Sequence, residues 1–143
     1  MPDACSQIPD LVHDAAALEA AAEALGLRLV VLFGSRAVGK GVHPESDVDV
    51  GVVAGKQVVS LMDAYRALAP AFADTLDVAV LNDTDPLFRF EVFSQALLLY
   101  GDPDLFAEYQ AYAYRDYVDS ADLRALEDAL SRKKLDRLLH AAT

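Results

Sequence analysis

The stretch LRLVVLFGSRAVGKGVHPESDVDVGVV, residues 27–53, decides the fold. Its first seven residues, 27–33, are an apolar run rich in strand formers and read as a buried strand ended by Gly34. Its last seven, DVDVGVV at 47–53, read as a second strand that opens with strict alternation of acid and valine. Five of the chain's seven glycines fall between Gly34 and Gly55, so this part of the backbone needs unusual geometry or close approach. The link between the two strands is a loop with little room for a crossover helix. The sheet is therefore expected to be mixed.

Outward from this stretch the elements alternate. Residues 14–25 read as a helix, with Leu18, Ala21, Ala22 and Leu25 on one face and Gly26 at its C-terminal end. A helix over 57–73 places Val58, Leu61, Met62, Tyr65, Leu68, Ala69 and Phe72 on one apolar face. TLDVAVL, 75–81, reads as a third strand. Asp85 followed by Pro86 signals an N-cap, and that helix should run to residue 95. ALLLY, 96–100, reads as an edge strand, with two helices over 104–117 and 121–140 after it. The order implies an α/β (α+β) fold, a small mixed sheet of three to five strands flanked by helices. Residues 1–104 form the core, and 105–143 a C-terminal helical extension of the same domain.

Composition narrows the partners. The chain has 143 residues, 54% of them apolar and 24% charged, which excludes disorder as the default. Twelve basic residues against 23 acidic ones give a formal charge of −11. Such a domain is a poor binder of nucleic-acid backbones and suits a positively charged partner. A single cysteine, Cys5, excludes a disulfide framework and a cysteine-based zinc site. MPDACSQIPD at the start carries no Lys or Arg, unlike a secretory leader. The Ala-rich run 15–25 is broken by Glu19 and Glu23 and is too short to span a bilayer. A cytoplasmic location away from membranes is expected.

The chemistry lies in the acids. On a strand, Asp47 and Asp49 at i and i+2 point to one face, while Val48 and Val50 point to the other. Asp77 repeats the pattern on the third strand beside Leu76, Val78 and Val80. If the strands are neighbours, three carboxylates converge. Two carboxylates about 5 Å apart repel by roughly 3 kcal/mol at an effective dielectric near 20. No Lys or Arg lies between Asp47 and Asp49, so a divalent cation is the natural remedy. Two such ions suit in-line phosphoryl chemistry. The plainer alternative is that Asp49 faces solvent and Asp77 caps a turn. Gly34-Ser35, directly after a strand and followed by Arg36 and Lys40, has the make-up of a phosphate cradle of backbone N–H groups and a hydroxyl. Taken alone, that pair is also an ordinary strand-ending turn.

Together these features are specific. Gly34-Ser35 after a strand, Asp47-Val48-Asp49 on the next and Asp77 on a third resemble the nucleotidyltransferase superfamily of the polymerase-beta kind. The similarity is greatest to its minimal nucleotidyltransferase (MNT) members, and continues through DVAVLND (77–83), PLFRFEVF (86–93) and LLLYGDPD (97–104). Two departures stand out. Eleven residues separate Ser35 from Asp47, one more than the usual pattern, and Val38 replaces a frequent arginine. The resemblance implies that Gly34 and Ser35 hold the β- and γ-phosphates of ATP, with Arg36 and Lys40 as further nucleotide contacts. It implies that Asp47, Asp49 and Asp77 are catalytic and ligate two Mg²⁺ ions. It also implies that Asp77 serves the attacking hydroxyl, and that pyrophosphate leaves the α-phosphorus.

MNT proteins of this size resemble the antitoxin half of HEPN–MNT toxin–antitoxin pairs. The implied activity is adenylyl transfer (AMPylation) from ATP to a tyrosine hydroxyl of a HEPN ribonuclease toxin, in a hetero-oligomer with that toxin. Two alternatives share the sequence. One is a small-molecule, antibiotic-type nucleotidyltransferase, for which the C-terminal extension is thin. The other is a non-catalytic antitoxin acting by binding alone, which the intact Asp47, Asp49 and Asp77 argue against.

Other polar groups read plainly. Asp83 and Asp85 precede Pro86 in a turn, Asp102 and Asp104 flank Pro103, and both pairs suit helix capping. Arg89 and Glu91 suit a surface ion pair or a solvated face as well as a phosphate contact. His13, His43 and His140 share no ligand spacing. Tyr109, Tyr112, Tyr114 and Tyr117 crowd one helix and suit core packing or a partner surface. Arg132, Lys133, Lys134 and Arg137 read as a solvated helix end.

Overall fold

The computed structural model describes residues 11–34, 37 and 47–141. Helix α1, Ala15–Leu25, starts where the Asp14 carboxylate accepts the Ala17 N–H at 3.0 Å and stops at Gly26 in a left-handed conformation (φ 65°). Strand β1, Leu27–Phe33, follows at once. Strand β2 is Val48–Ala54, helix α2 Leu61–Leu68, and a short 3₁₀ turn occupies Ala69–Ala71. Strand β3, Leu76–Val80, leads to helix α3, Pro86–Gln95, and strand β4, Leu97–Tyr100. Two further helices, α4 (Pro103–Asp119) and α5 (Ala121–Ala141), complete the chain.

The sheet order is β3-β2-β1-β4. β1 runs antiparallel to β2 and to β4, while β2 and β3 are parallel, so the sheet is mixed as expected. β4 lies at an edge. Both faces are covered. On one, α1 and α2 pack Leu18, Ala22, Ala64 and Leu68 over Val30, Leu32, Val48, Val50, Val52 and Val78. On the other, α3 and α4 pack Val92, Phe93, Ala96 and Ala113 over Leu29, Val31, Val53 and Leu81. Burial on both sides is why β1 reads as a continuous apolar run rather than an alternating one.

The apolar stripe of the second helix is used differently from its sequence reading. Ser60 accepts the Asp63 N–H on its Oγ at 3.1 Å and starts the helix late, which leaves Val58 outside it. Ala64 and Leu68 face the sheet, and Phe72 is buried beyond the 3₁₀ turn. Val58, Leu61, Met62 and Tyr65 stand exposed. Along α5, Leu123, Leu126, Leu130, Leu135, Leu138 and Leu139 are exposed as well, and no residue of that helix is buried. The tyrosines of α4 divide between the two sequence readings. Tyr109 stacks on Phe93 and Tyr117 on Phe90, whereas Tyr112 and Tyr114 are exposed.

Arg89 departs from its surface reading. It is 9% exposed, and its guanidinium donates to Asp116 at 3.2 Å and to the Asn82 and Thr84 carbonyls at 3.2 and 3.0 Å. Asn82 in turn brackets Ala54 at the end of β2, accepting its N–H at 2.8 Å and donating to its carbonyl at 3.0 Å. One arginine thus ties the β3–α3 turn to α4. Arg89→Ala is expected to lower the unfolding free energy by about 2–3 kcal/mol, because it strands two carbonyls and a carboxylate. Arg89→Lys should recover only part of this, since one ammonium cannot reproduce a planar fork. Denaturant titration of both variants checks it.

Candidate active site

The parallel register of β2 and β3 pairs Asp49 with Asp77 directly. Their neighbours Val48, Val50, Leu76 and Val78 belong to the α1/α2 core, so both carboxylates project to the opposite sheet face. The antiparallel register of β1 and β2 sets Phe33 opposite Asp49. One row across three strands therefore reads Asp77, Asp49, Phe33. Asp77 is exposed, Asp49 half-buried, and Asp47 exposed just before β2 begins.

Electrostatics mark this row as strained. Burial pushes the Asp49 carboxyl above its ordinary value; the charges of Asp77 and Asp47 push the same way, as does a side-chain hydrogen bond with Asp77. Among the described residues, none of the three carboxylates has a basic ion-pair partner. Nor, among the described residues, do three such side chains already close round a common point as in a finished metal site. Like charges with nothing between them spread apart, and Asp47 sits outside the ladder that fixes Asp49 and Asp77. The donor set nevertheless fits a hard divalent cation. It offers carboxylate oxygens only, with repulsion uncompensated by protein. Asp47, Asp49 and Asp77 are the residues that would hold it, and when bound it would neutralise phosphate charge and lower the pKa of an attacking hydroxyl.

Gly34 forms the corner beside this row. It has φ 75°, and its carbonyl accepts the Ala37 N–H at 3.1 Å, so the chain turns sharply as it leaves β1. A Cβ at this position would run into the Asp49 carboxylate. Glycine is thus required twice, by conformation and by contact. Gly34→Ala is expected to cost about 1–2 kcal/mol from the left-handed backbone alone. It should also displace Asp49, so a small loss in Tm should accompany a large loss of activity. A thermal melt and a transfer assay on the same sample check both. Ser35, Arg36 and Lys40, proposed from sequence as nucleotide contacts, lie outside the described residues, as do Cys5 and His43.

Of the four aspartates offered as caps, Asp85 and Asp102 take that role, while Asp104 lies inside the first turn of α4. Asp85 accepts the Leu87 N–H at 2.7 Å and Asp102 the Asp104 N–H at 3.0 Å, each starting a helix. Sequence reasoning missed Phe33 as a neighbour of the acids, and Phe88 with it. The rings of these two meet at 6.0 Å. The position of Phe33, one residue before Gly34, was the available signal.

Comparison with known proteins bears on the family and the fold. A model of the polymerase beta nucleotidyltransferase family matches residues 18–104, the segment holding the sheet, Gly34 and all three acids. Among solved structures, a toxin–antitoxin crystal structure with AMP-PNP superposes with TM-score 0.66 at 21% identity, over 82% of this chain and 98% of that one. An MntA–HepT toxin–antitoxin structure gives 0.61 at 19% identity, over 82% and 96%. A complex of tri-AMPylated HEPN toxin with MNT antitoxin from Shewanella oneidensis gives 0.55 at 21% identity, over 74% and 84%. Identities this low speak for the fold. No curated protein sequence matches the chain significantly. With its family model spanning more than half of the chain, and with the glycine corner and paired acids in one sheet, the protein belongs to the polymerase beta nucleotidyltransferase family.

Proposed function

We propose that this nucleotidyltransferase is a cytoplasmic antitoxin that moves AMP from ATP to a tyrosine hydroxyl of a HEPN toxin. The observation that carries the reading is the Asp49–Asp77 pair on neighbouring parallel strands, beside a glycine corner that only glycine can form. The fold shared with MNT antitoxins, one of them bound to a tri-AMPylated HEPN toxin, supports the acceptor. The structure with AMP-PNP supports an ATP-type donor.

In this reading Gly34 and Ser35 hold the β- and γ-phosphates, with Arg36 and Lys40 adding positive charge. Asp47, Asp49 and Asp77 hold Mg²⁺, two ions in all, which supply charge neutralisation at the phosphates. Asp77, exposed on the edge strand β3, takes the proton of the incoming tyrosine hydroxyl. The tyrosine oxygen bonds to the α-phosphorus, the bond from that phosphorus to the β-phosphate bridging oxygen breaks, and pyrophosphate leaves. The chain needs no covalent nucleophile, because positioning and charge neutralisation carry the rate. Residues 1–104 supply the chemistry, and the helices of 105–143 face the partner, where α5 offers exposed leucines to a protein surface.

The test uses the protein encoded beside this one, which the reading expects to be a HEPN toxin. Incubated with this chain and Mg·ATP, it should gain whole AMP units by intact mass, at a tyrosine located by fragmentation. Complex formation with no mass gain, unaffected by Asp49→Ala, would show an antitoxin that acts by binding alone. AMP appearing only on added small molecules would show the antibiotic-type enzyme instead.

A further inference from the structure

Phe33 closes β1 immediately before Gly34 and packs on the same sheet face as the α3/α4 core. Phe88, in the first turn of α3, meets it edge to face, with ring centroids 6.0 Å apart and planes at 88°. Phe88 is 36% exposed and Leu87 beside it 40%. Among the described residues, Phe33 is the one ring Phe88 touches. An edge-to-face pair leaves ring surface uncovered by its mate, and Phe33, which Phe88 meets, stands directly beside Asp49 in the carboxylate row.

The order of that row assigns the face to one substrate. From the edge strand inward it reads Asp77, Asp49, Phe33. In the proposed reaction the acceptor hydroxyl meets Asp77, and the triphosphate meets the Gly34 corner at the end of β1. The donor nucleotide therefore occupies the β1 side, where the two phenylalanines stand. We infer that Phe88 is the platform on which the base of the donor nucleoside triphosphate stacks, buttressed from behind by Phe33. The inference rests on the transferase reading above. Stacking accepts any base but rewards ring area, so it favours purine over pyrimidine triphosphates.

The chain contains no tryptophan, so Phe88→Trp installs a single fluorophore at the site. Its emission should be quenched by Mg²⁺ with AMP-PNP and not by Mg²⁺ with inorganic tripolyphosphate. Phe88→Ala should weaken AMP-PNP binding about 10- to 100-fold while leaving tripolyphosphate within about twofold. Phe88→Leu, which keeps the bulk without the ring, should resemble alanine in binding and wild type in Tm. Equal loss for both ligands, or no loss for either, would overturn the platform while leaving the transferase reading standing. A wild-type protein that binds neither AMP-PNP nor tripolyphosphate would overturn the transferase reading and the platform together.

Discussion

Asp49→Asn should lower AMP transfer by at least about 10³-fold and, in metal-free buffer, make the protein more stable. The first effect follows from removing a charged oxygen ligand from the centre of the row. The second follows from the repulsion that raises the Asp49 carboxyl above its ordinary value. A carboxyl whose folded-state pKa is raised ionises less favourably in the folded state than in the unfolded one, so at pH above both values it costs stability. As pH falls through that raised value, the folded protein takes up a proton before the unfolded one, and the cost is relieved. Below the ordinary carboxylate value the two states are alike and the effect ends. Metal-free wild type should therefore gain stability on mild acidification above the ordinary carboxylate range, and Asp49→Asn should lack that gain. Because the acids are largely open to solvent, the neutral-pH rise in Tm should be small, about 2–4 °C. Mg²⁺ should raise the Tm of wild type and leave the variant unmoved. A variant that loses both activity and stability would instead make Asp49 an ordinary structural residue.

Phe93→Ala should produce the largest stability loss, about 3–5 kcal/mol. Phe93 is 2% exposed on α3, between Val31 of the sheet and α4. It stacks on Tyr109 at 5.9 Å and tilts against Phe106 at 6.2 Å, and its carbonyl accepts the Gln110 side-chain N–H at 3.0 Å. Removing the ring opens a cavity and unseats α4 in one step. Leu130→Ala, at an exposed position of α5, should stay within about 0.5 kcal/mol in the isolated protein. Denaturant unfolding distinguishes the two, and equal effects would show that α5 packs on the core in solution.

The strands and caps were legible because their signals are local. A seven-residue apolar run at 27–33, a glycine after α1 and Asp85-Pro86 each act within a few residues. The shared face of Asp49 and Asp77 was legible for a related reason, but that their strands are neighbours is not a local signal. Alternation fixes the face of each acid, and the parallel pairing of β2 with β3 in the fold brings the two together. Three features escaped the sequence, the last two because they depend on contacts made only in the folded chain. Ser60 starts α2 after Val58, which turns a regular apolar stripe partly outward. Arg89 looks like any surface charge until the Asn82 and Thr84 carbonyls and Asp116 are seen around it. Phe33 and Phe88 are far apart in the chain and meet only when α3 folds onto the sheet. The leucines of α5 have no repeating face against which to pack, and the fold leaves them exposed.

The central claim is that Asp47, Asp49 and Asp77 hold divalent ions on which the triphosphate depends. Calorimetric titration of AMP-PNP into the protein tests it most directly, with magnesium present and then with chelator. The account predicts binding that requires magnesium in wild type and disappears in Asp49→Asn. Binding of equal strength in chelator, or in the variant, would contradict it.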